Sequence, residues 1–113
     1  MLVHLASSKT QSNLSTFTED QIQPNAVDLR LDRVFELDGQ SAFILTEDDK
    51  THRNKREILP DLSGMFRFNA NTSYEILFEG IITMGANEAG WVITRSTLNR
   101  NGLFITSGLY DSG

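Results

Sequence analysis

The closing quarter of the chain, Trp91 to Gly113, reads WVITRSTLNRNGLFITSGLYDSG. The apolar run Trp91-Val92-Ile93 leads into Arg95-Ser96-Thr97-Leu98-Asn99-Arg100-Asn101-Gly102, and a second apolar run, Leu103-Phe104-Ile105, leads into a polar turn ending at Asp111-Ser112-Gly113. This pattern predicts strand, one-turn connector, strand, turn. Within the connector, Ser96 is a capping residue whose hydroxyl accepts from free backbone N–H groups. Gly102 suits the left-handed conformation that ends a helix. So short a helix leaves most of its N–H groups without intrahelical partners. With Arg95 and the hydroxyls of Ser96 and Thr97 beside them, those groups suit an anion, phosphate first. A carboxylate such as Asp111 near a bound phosphate is repelled unless it holds a metal or a water, which suggests hydrolysis. The plainer alternative is a surface hairpin with an ordinary Arg and Asp at its ends.

Outward from that stretch, short strands and frequent turns continue. Val27 to Leu31 alternates apolar and charged residues, and Phe35 and Leu37 resume the alternation after a slip at Asp32–Val34. A half-buried strand with an irregularity follows from this, with Asp28 and Arg30 on the face opposite Val27, Leu29 and Leu31. Asp38-Gly39 signals a turn, so residues 34–37 are expected to form a hairpin with the apolar run Ala42–Leu45. Thr46 to Glu57 is almost wholly polar and reads as an exposed loop. Further strands are expected at 58–60, 65–68 and 74–82. Phe66, Phe68, Phe78, Met84 and Trp91 are the expected core. No long helix is predicted; the pattern is that of an all-β barrel or sandwich.

Length and composition set limits. With 113 residues the chain makes one domain with a modest core, for which residues 1–20 have no assigned role. Its apolar start lacks a basic segment and is not a signal peptide. No apolar run approaches the roughly 18 residues of a membrane span, so no membrane partner is expected. A formal charge of −5 argues against DNA or RNA as a general partner. With no Cys and two His there is no disulfide framework, and a reducing, cytoplasmic setting fits. The Cys-bearing zinc set of many nucleobase deaminases is excluded for this chain.

Three stretches together resemble the superfamily of trimeric dUTP diphosphatases and dCTP deaminases. Gln23-Pro24-Asn25-Ala26-Val27-Asp28-Leu29-Arg30-Leu31 is similar to the first family motif, in a form closest to the deaminase branch. Arg95-Ser96-Thr97-Leu98 through Gly102 is similar to the phosphate-binding motif. Thr106-Ser107-Gly108-Leu109-Tyr110-Asp111 is similar to the nucleoside-binding motif, whose Asp ends a Gly-x-x-Asp run. The resemblance covers residues 21–113.

The resemblance implies a distorted, jelly-roll-like β-barrel (the β-clip of dUTPases) assembled as a homotrimer, with active sites at subunit boundaries. Arg95, Ser96, Thr97 and Arg100 would bind phosphate, Gly108, Leu109 and Tyr110 the nucleoside, and a neighbour's Asp111 would be catalytic. The substrate would be a deoxynucleoside triphosphate bound with Mg²⁺, which Asp28 reaches through water. Hydrolysis of dUTP to dUMP and pyrophosphate is the first expectation, favoured by Gly108. A dCTP deaminase, or a bifunctional enzyme, is the alternative, favoured by Arg100. The aromatic residue, base-reading hairpin, fourth motif and C-terminal arm that family members place after the third motif are not in this sequence. A truncated, non-catalytic nucleotide-binding relative is therefore also weighed, and a structural jelly-roll module is the outsider.

Overall fold

The computed structural model describes residues 2–112. Among the described residues there are seven short strands and one short α-helix: β1 (Asn13–Leu14), β2 (Leu31–Leu37), β3 (Ile44–Leu45), β4 (Lys50–Thr51), β5 (Lys55–Ile58), β6 (Tyr74–Phe78), β7 (Ile82–Thr83) and α1 (Ser96–Arg100). All pairings are antiparallel, in three sheets ordered β1-β7, β5-β2-β6 and β3-β4. The all-β class is therefore correct, and among the described residues none of the sheets closes into a barrel. Contacts divide the chain into two compact units, one running to Asp28 and resuming at Gly80, the other being Leu29–Glu79.

The second unit is built on β2. On one face of its sheet the fully buried Val34 pairs across to Ile58 and Ile76. On the other face, Phe35 lies between Glu57 and Glu75 of the flanking strands. The partners of those carboxylates, Arg33 (2.8 Å to Glu57) and Lys55 (2.9 Å to Glu75), lie over the Phe35 ring at 5.0 and 4.8 Å. The Arg33–Glu57 bond holds the Glu57 carboxyl below its usual range. The irregularity expected near Asp32 is a register shift between Leu31 and Arg33 against β6.

Several expected strands are corrected. Residues 34–37 do not pair with 42–45. After the Asp38 turn, Ser41 is tied to the returning chain, its Oγ accepting from Asn54 N–H at 2.9 Å. The apolar run then folds back on Lys50–Thr51 as its own hairpin. The polar segment 46–57 is thus not all loop: it holds β4 and most of β5. An antiparallel strand with one solvated face tolerates charge, and cross-strand ion pairs (Arg56–Glu36 at 3.3 Å among them) replace apolar matching. Residues 65–68 are not a strand, and 74–82 is interrupted by Gly80 at φ +85°. Neither Trp91–Ile93 nor Leu103–Ile105 forms a regular strand. Their legs are joined mostly through hydroxyls: Ile105 N–H donates to Thr94 Oγ1 at 2.7 Å and Val92 N–H to Ser107 Oγ at 3.0 Å. Trp91 is 59% exposed, so it is not core; among the described residues the buried apolar side chains are Leu14 and Val34.

The first unit is closed by the N-terminal segment. Leu14 of β1 pairs with Ile82, and Glu88 receives the residues before β1. Its carboxylate accepts from Thr10 Oγ1 at 2.6 Å, Gln11 N–H at 3.0 Å, Ser12 N–H at 3.1 Å and Ser12 Oγ. These bonds hold the Glu88 carboxyl down to about 2. Residues 2–20, which carry no motif, are thus integral to this unit.

Candidate functional site

Asp28 follows a tight local reversal. Pro24, with its fixed φ, and Asn25 turn the chain, so that Ile22 bridges Val27 and Gln23 N–H donates to Ala26 carbonyl at 2.9 Å. The reversal places Asp28 against two glutamines. Gln21, 6% exposed, grips the Asp28 backbone on both sides: Asp28 N–H donates to Gln21 carbonyl at 2.7 Å, and Gln21 Nε2 donates to Asp28 carbonyl at 2.8 Å. The amide of Gln21 is itself oriented by Thr18 N–H, which donates to its Oε1 at 2.9 Å. Gln23 Nε2 donates to Asp28 Oδ2 at 3.0 Å.

Arg95 Nη1 donates to that same Oδ2 at 2.9 Å. The first and second motifs, 67 positions apart by residue number (95 − 28), therefore meet through one oxygen. Asp28 is partly enclosed, with its side chain 20% exposed, whereas that of Arg95 is 64% exposed. An ion pair this open contributes at most about 1 kcal/mol to stability. Its significance lies in placing one cation and one carboxylate at the mouth of α1.

Ser96 is not the cap of α1. Arg95 occupies that position with extended backbone (φ −61°, ψ 147°), and Ser96 is the first helical residue. The first intrahelical bond is Asn99 N–H to Arg95 carbonyl at 3.0 Å, so the N–H groups of Ser96 and Thr97 precede the helical ladder. Gly102 ends the helix as expected, at φ +83°. Arg100 is exposed in the last turn.

In the third motif, Tyr110 bridges Gly90 through two backbone bonds of 2.8 and 3.0 Å. Leu109 and Tyr110 remain 59% and 39% exposed, and a Cβ on Gly108 would meet nothing within 4 Å. Asp111 is exposed on the far side of that bridge. Among the described residues no hydrogen bond or ion pair joins it to Asp28 or Arg95. The structure thus joins the first two motifs through the Asp28–Arg95 bond, a bond in which the third motif takes no part.

Among the described residues no group of three His, Cys, Asp or Glu could hold a metal. One carboxylate with an oxygen already shared by an amide and a guanidinium is a poor cage for Mg²⁺. It fits a water-mediated contact to an ion carried mainly by phosphate oxygens. No described helix is long and apolar enough to cross a membrane.

The sequence reading missed His4, Gln21 and Gln23. His4 Nδ1 accepts from Ala6 N–H at 3.0 Å, so Nε2 carries the proton and donates to Gln23 carbonyl at 2.6 Å. No periodic pattern marks these residues: Gln21 ends a single 3-10 turn, Glu19–Gln21, and Gln23 follows two positions later.

The family model for dCTP deaminase-like proteins matches residues 2–113, extending the similarity through the N-terminal segment. A probable deoxyuridine 5'-triphosphate nucleotidohydrolase of Methanopyrus kandleri is 37% identical over 95 residues, covering 84% of this chain and 60% of that protein. A protein of the same description from Halobacterium salinarum is 31% identical over 99 residues, covering 84% of this chain and 59% of its own length. The chain thus spans about 60% of the curated relatives it matches. No solved structure matches it significantly.

Proposed function

The chain belongs to the dCTP deaminase-like family, and from that membership we propose that it acts in deoxynucleotide metabolism, hydrolysing dUTP to dUMP and pyrophosphate. The observation that carries the proposal is the Asp28–Arg95 ion pair, which joins the carboxylate of one motif to the phosphate-type cation of another. The names of the two archaeal relatives support the same substrate.

In this reading Arg95 and the N–H groups of Ser96 and Thr97 bind the triphosphate and stabilise charge on its oxygens during attack. Arg100 adds a second cation at the end of α1. Gly108, Leu109 and Tyr110 take the nucleoside; the open space at Gly108 supports a close approach there. Asp111, delivered by a neighbouring subunit of a homotrimer, orients a water and accepts its proton as the oxygen adds to phosphorus and pyrophosphate leaves. Mg²⁺, when bound with the nucleotide, supplies Lewis-acid neutralisation of phosphate charge. Asp28 would reach it through water while holding Arg95. The setting is cytoplasmic.

Deamination of dCTP, alone or coupled to hydrolysis, is the second reading. It is favoured by Arg100 standing five positions after Arg95, as in deaminases.

Incubation with Mg²⁺ and either dUTP or dCTP, followed by ion-exchange separation, tests the proposal. dUMP and pyrophosphate from dUTP alone are the expected products. Formation of dUTP from dCTP would move the assignment to a deaminase, and dUMP from both to a bifunctional enzyme. No product from either would overturn it.

A further inference from the structure

We propose that Gln23 is a positioning residue for Asp28, presetting its carboxylate against Arg95 before nucleotide arrives. The proposal rests on the nucleotide-binding reading above. Three facts carry it. Gln23 Nε2 and Arg95 Nη1 converge on the same oxygen, Oδ2, at 3.0 and 2.9 Å. These two bonds fix the carboxylate plane and leave Oδ1 over for other contacts. Gln23 is in turn held through its main chain, its N–H donating to Ala26 at 2.9 Å and its carbonyl accepting from His4 Nε2 at 2.6 Å. Finally, the Asp28 backbone is gripped separately by the buried Gln21, so removing the Gln23 amide frees the carboxylate without releasing the main chain.

The physical consequence is preorganisation. A part-exposed carboxylate left to itself samples several rotamers, and Arg95 follows it. An amide donor on Oδ2 selects one rotamer, so the guanidinium starts beside the first turn of α1, where phosphate would bind. Ordering both groups before binding removes an entropic cost from the binding step. His4 extends the arrangement to the N-terminal segment: Ala6 N–H, His4, the Gln23 carbonyl, the Gln23 amide and Asp28 form one continuous run of bonds.

Calorimetric binding of the non-hydrolysable analogue α,β-imido-dUTP with Mg²⁺, in a double-mutant cycle of Gln23→Leu and Asp28→Ala, tests this. Gln23→Leu should weaken binding about tenfold in the otherwise unchanged chain, the scale of one hydrogen bond to a charged group. It should have no further effect once Asp28→Ala has removed the acceptor. Equal losses in both backgrounds would overturn the positioning role alone. Gln23→Glu, of the same size, places a second carboxylate beside Asp28 and should bind more weakly than Gln23→Leu. Binding by Gln23→Glu equal to that of the unaltered chain would also overturn the role. No binding by the unaltered chain would overturn the nucleotide reading, and this inference with it.

Discussion

Glu88 accepts from Ser12 N–H at 3.1 Å, joining positions 76 residues apart through a carboxylate that also collects Thr10 and Gln11. The side chain docks the N-terminal segment by concentrated hydrogen bonding, where apolar burial is sparse. Its carboxyl is held at about 2, against an ordinary 4.5. The stabilisation from this depressed value is present above about pH 4.5 and is lost as pH falls through about 2. Glu88→Gln should lower the melting temperature by several degrees at pH 7 and flatten the acid limb between those values. Circular dichroism melts of both proteins across that range would check it. Parallel acid limbs would show that Glu88 is not the linked group.

The same junction is sterically closed. A Cβ on Gly85 would fall 2.5 Å from Gln11 Cβ and 2.8 Å from the Gln11 carbonyl carbon. Backbone cannot yield as a flexible side chain does, so one of the two segments must move. Gly85 N–H also donates to Ser12 Oγ at 2.9 Å, a bond the movement would strain. Gly85→Ala should cost about 1–3 kcal/mol, the range for overpacking a closed site. Urea denaturation would measure it.

In the other unit, Val34 alone is fully enclosed, at the centre of β5-β2-β6. Val34→Ala should destabilise by about 2 kcal/mol, from lost transfer energy plus a partly collapsed cavity. Leu31→Ala, on an exposed position of the same strand, should cost far less. Chemical denaturation of the pair would separate burial from strand propensity.

What could be read from sequence follows from how local each signal is. Gly102 and the slip at Asp32 act on their own backbone, and the structure shows a left-handed Gly102 and a register shift beside Asp32. The meeting of Asp28 with Arg95 followed from motif resemblance, since nothing local links them. Strand pairing failed where hydrophobic matching was the guide. The strand Lys55–Ile58 is held by ion pairs and a ring flanked by cations, and the Trp91 and Leu103 legs are joined by hydroxyls that no period-two pattern marks. Gln23 was invisible for a related reason: a glutamine that orients a carboxylate has the same composition signature as one in solvent.

Arg95 touches Asp28, whereas no described bond ties Asp111 to either, so the two roles should separate in kinetics. On the proposed function, Arg95→Ala would remove a charge-assisted contact to the triphosphate and should weaken binding of α,β-imido-dUTP by about tenfold or more. The dUTP turnover rate should fall with it. On the same proposal, Asp111→Asn keeps size and polarity but would be unable to accept the proton of the attacking water. Binding should persist while hydrolysis drops by about 10²- to 10⁴-fold, the usual contribution of a positioned general base. If Asp111 arrives from a neighbouring subunit, mixing Arg95→Ala with Asp111→Asn chains should restore activity through hybrid assemblies that contain one intact site. Failure of the mixture to recover any rate, under conditions where the chains exchange, would place both residues in one subunit's site.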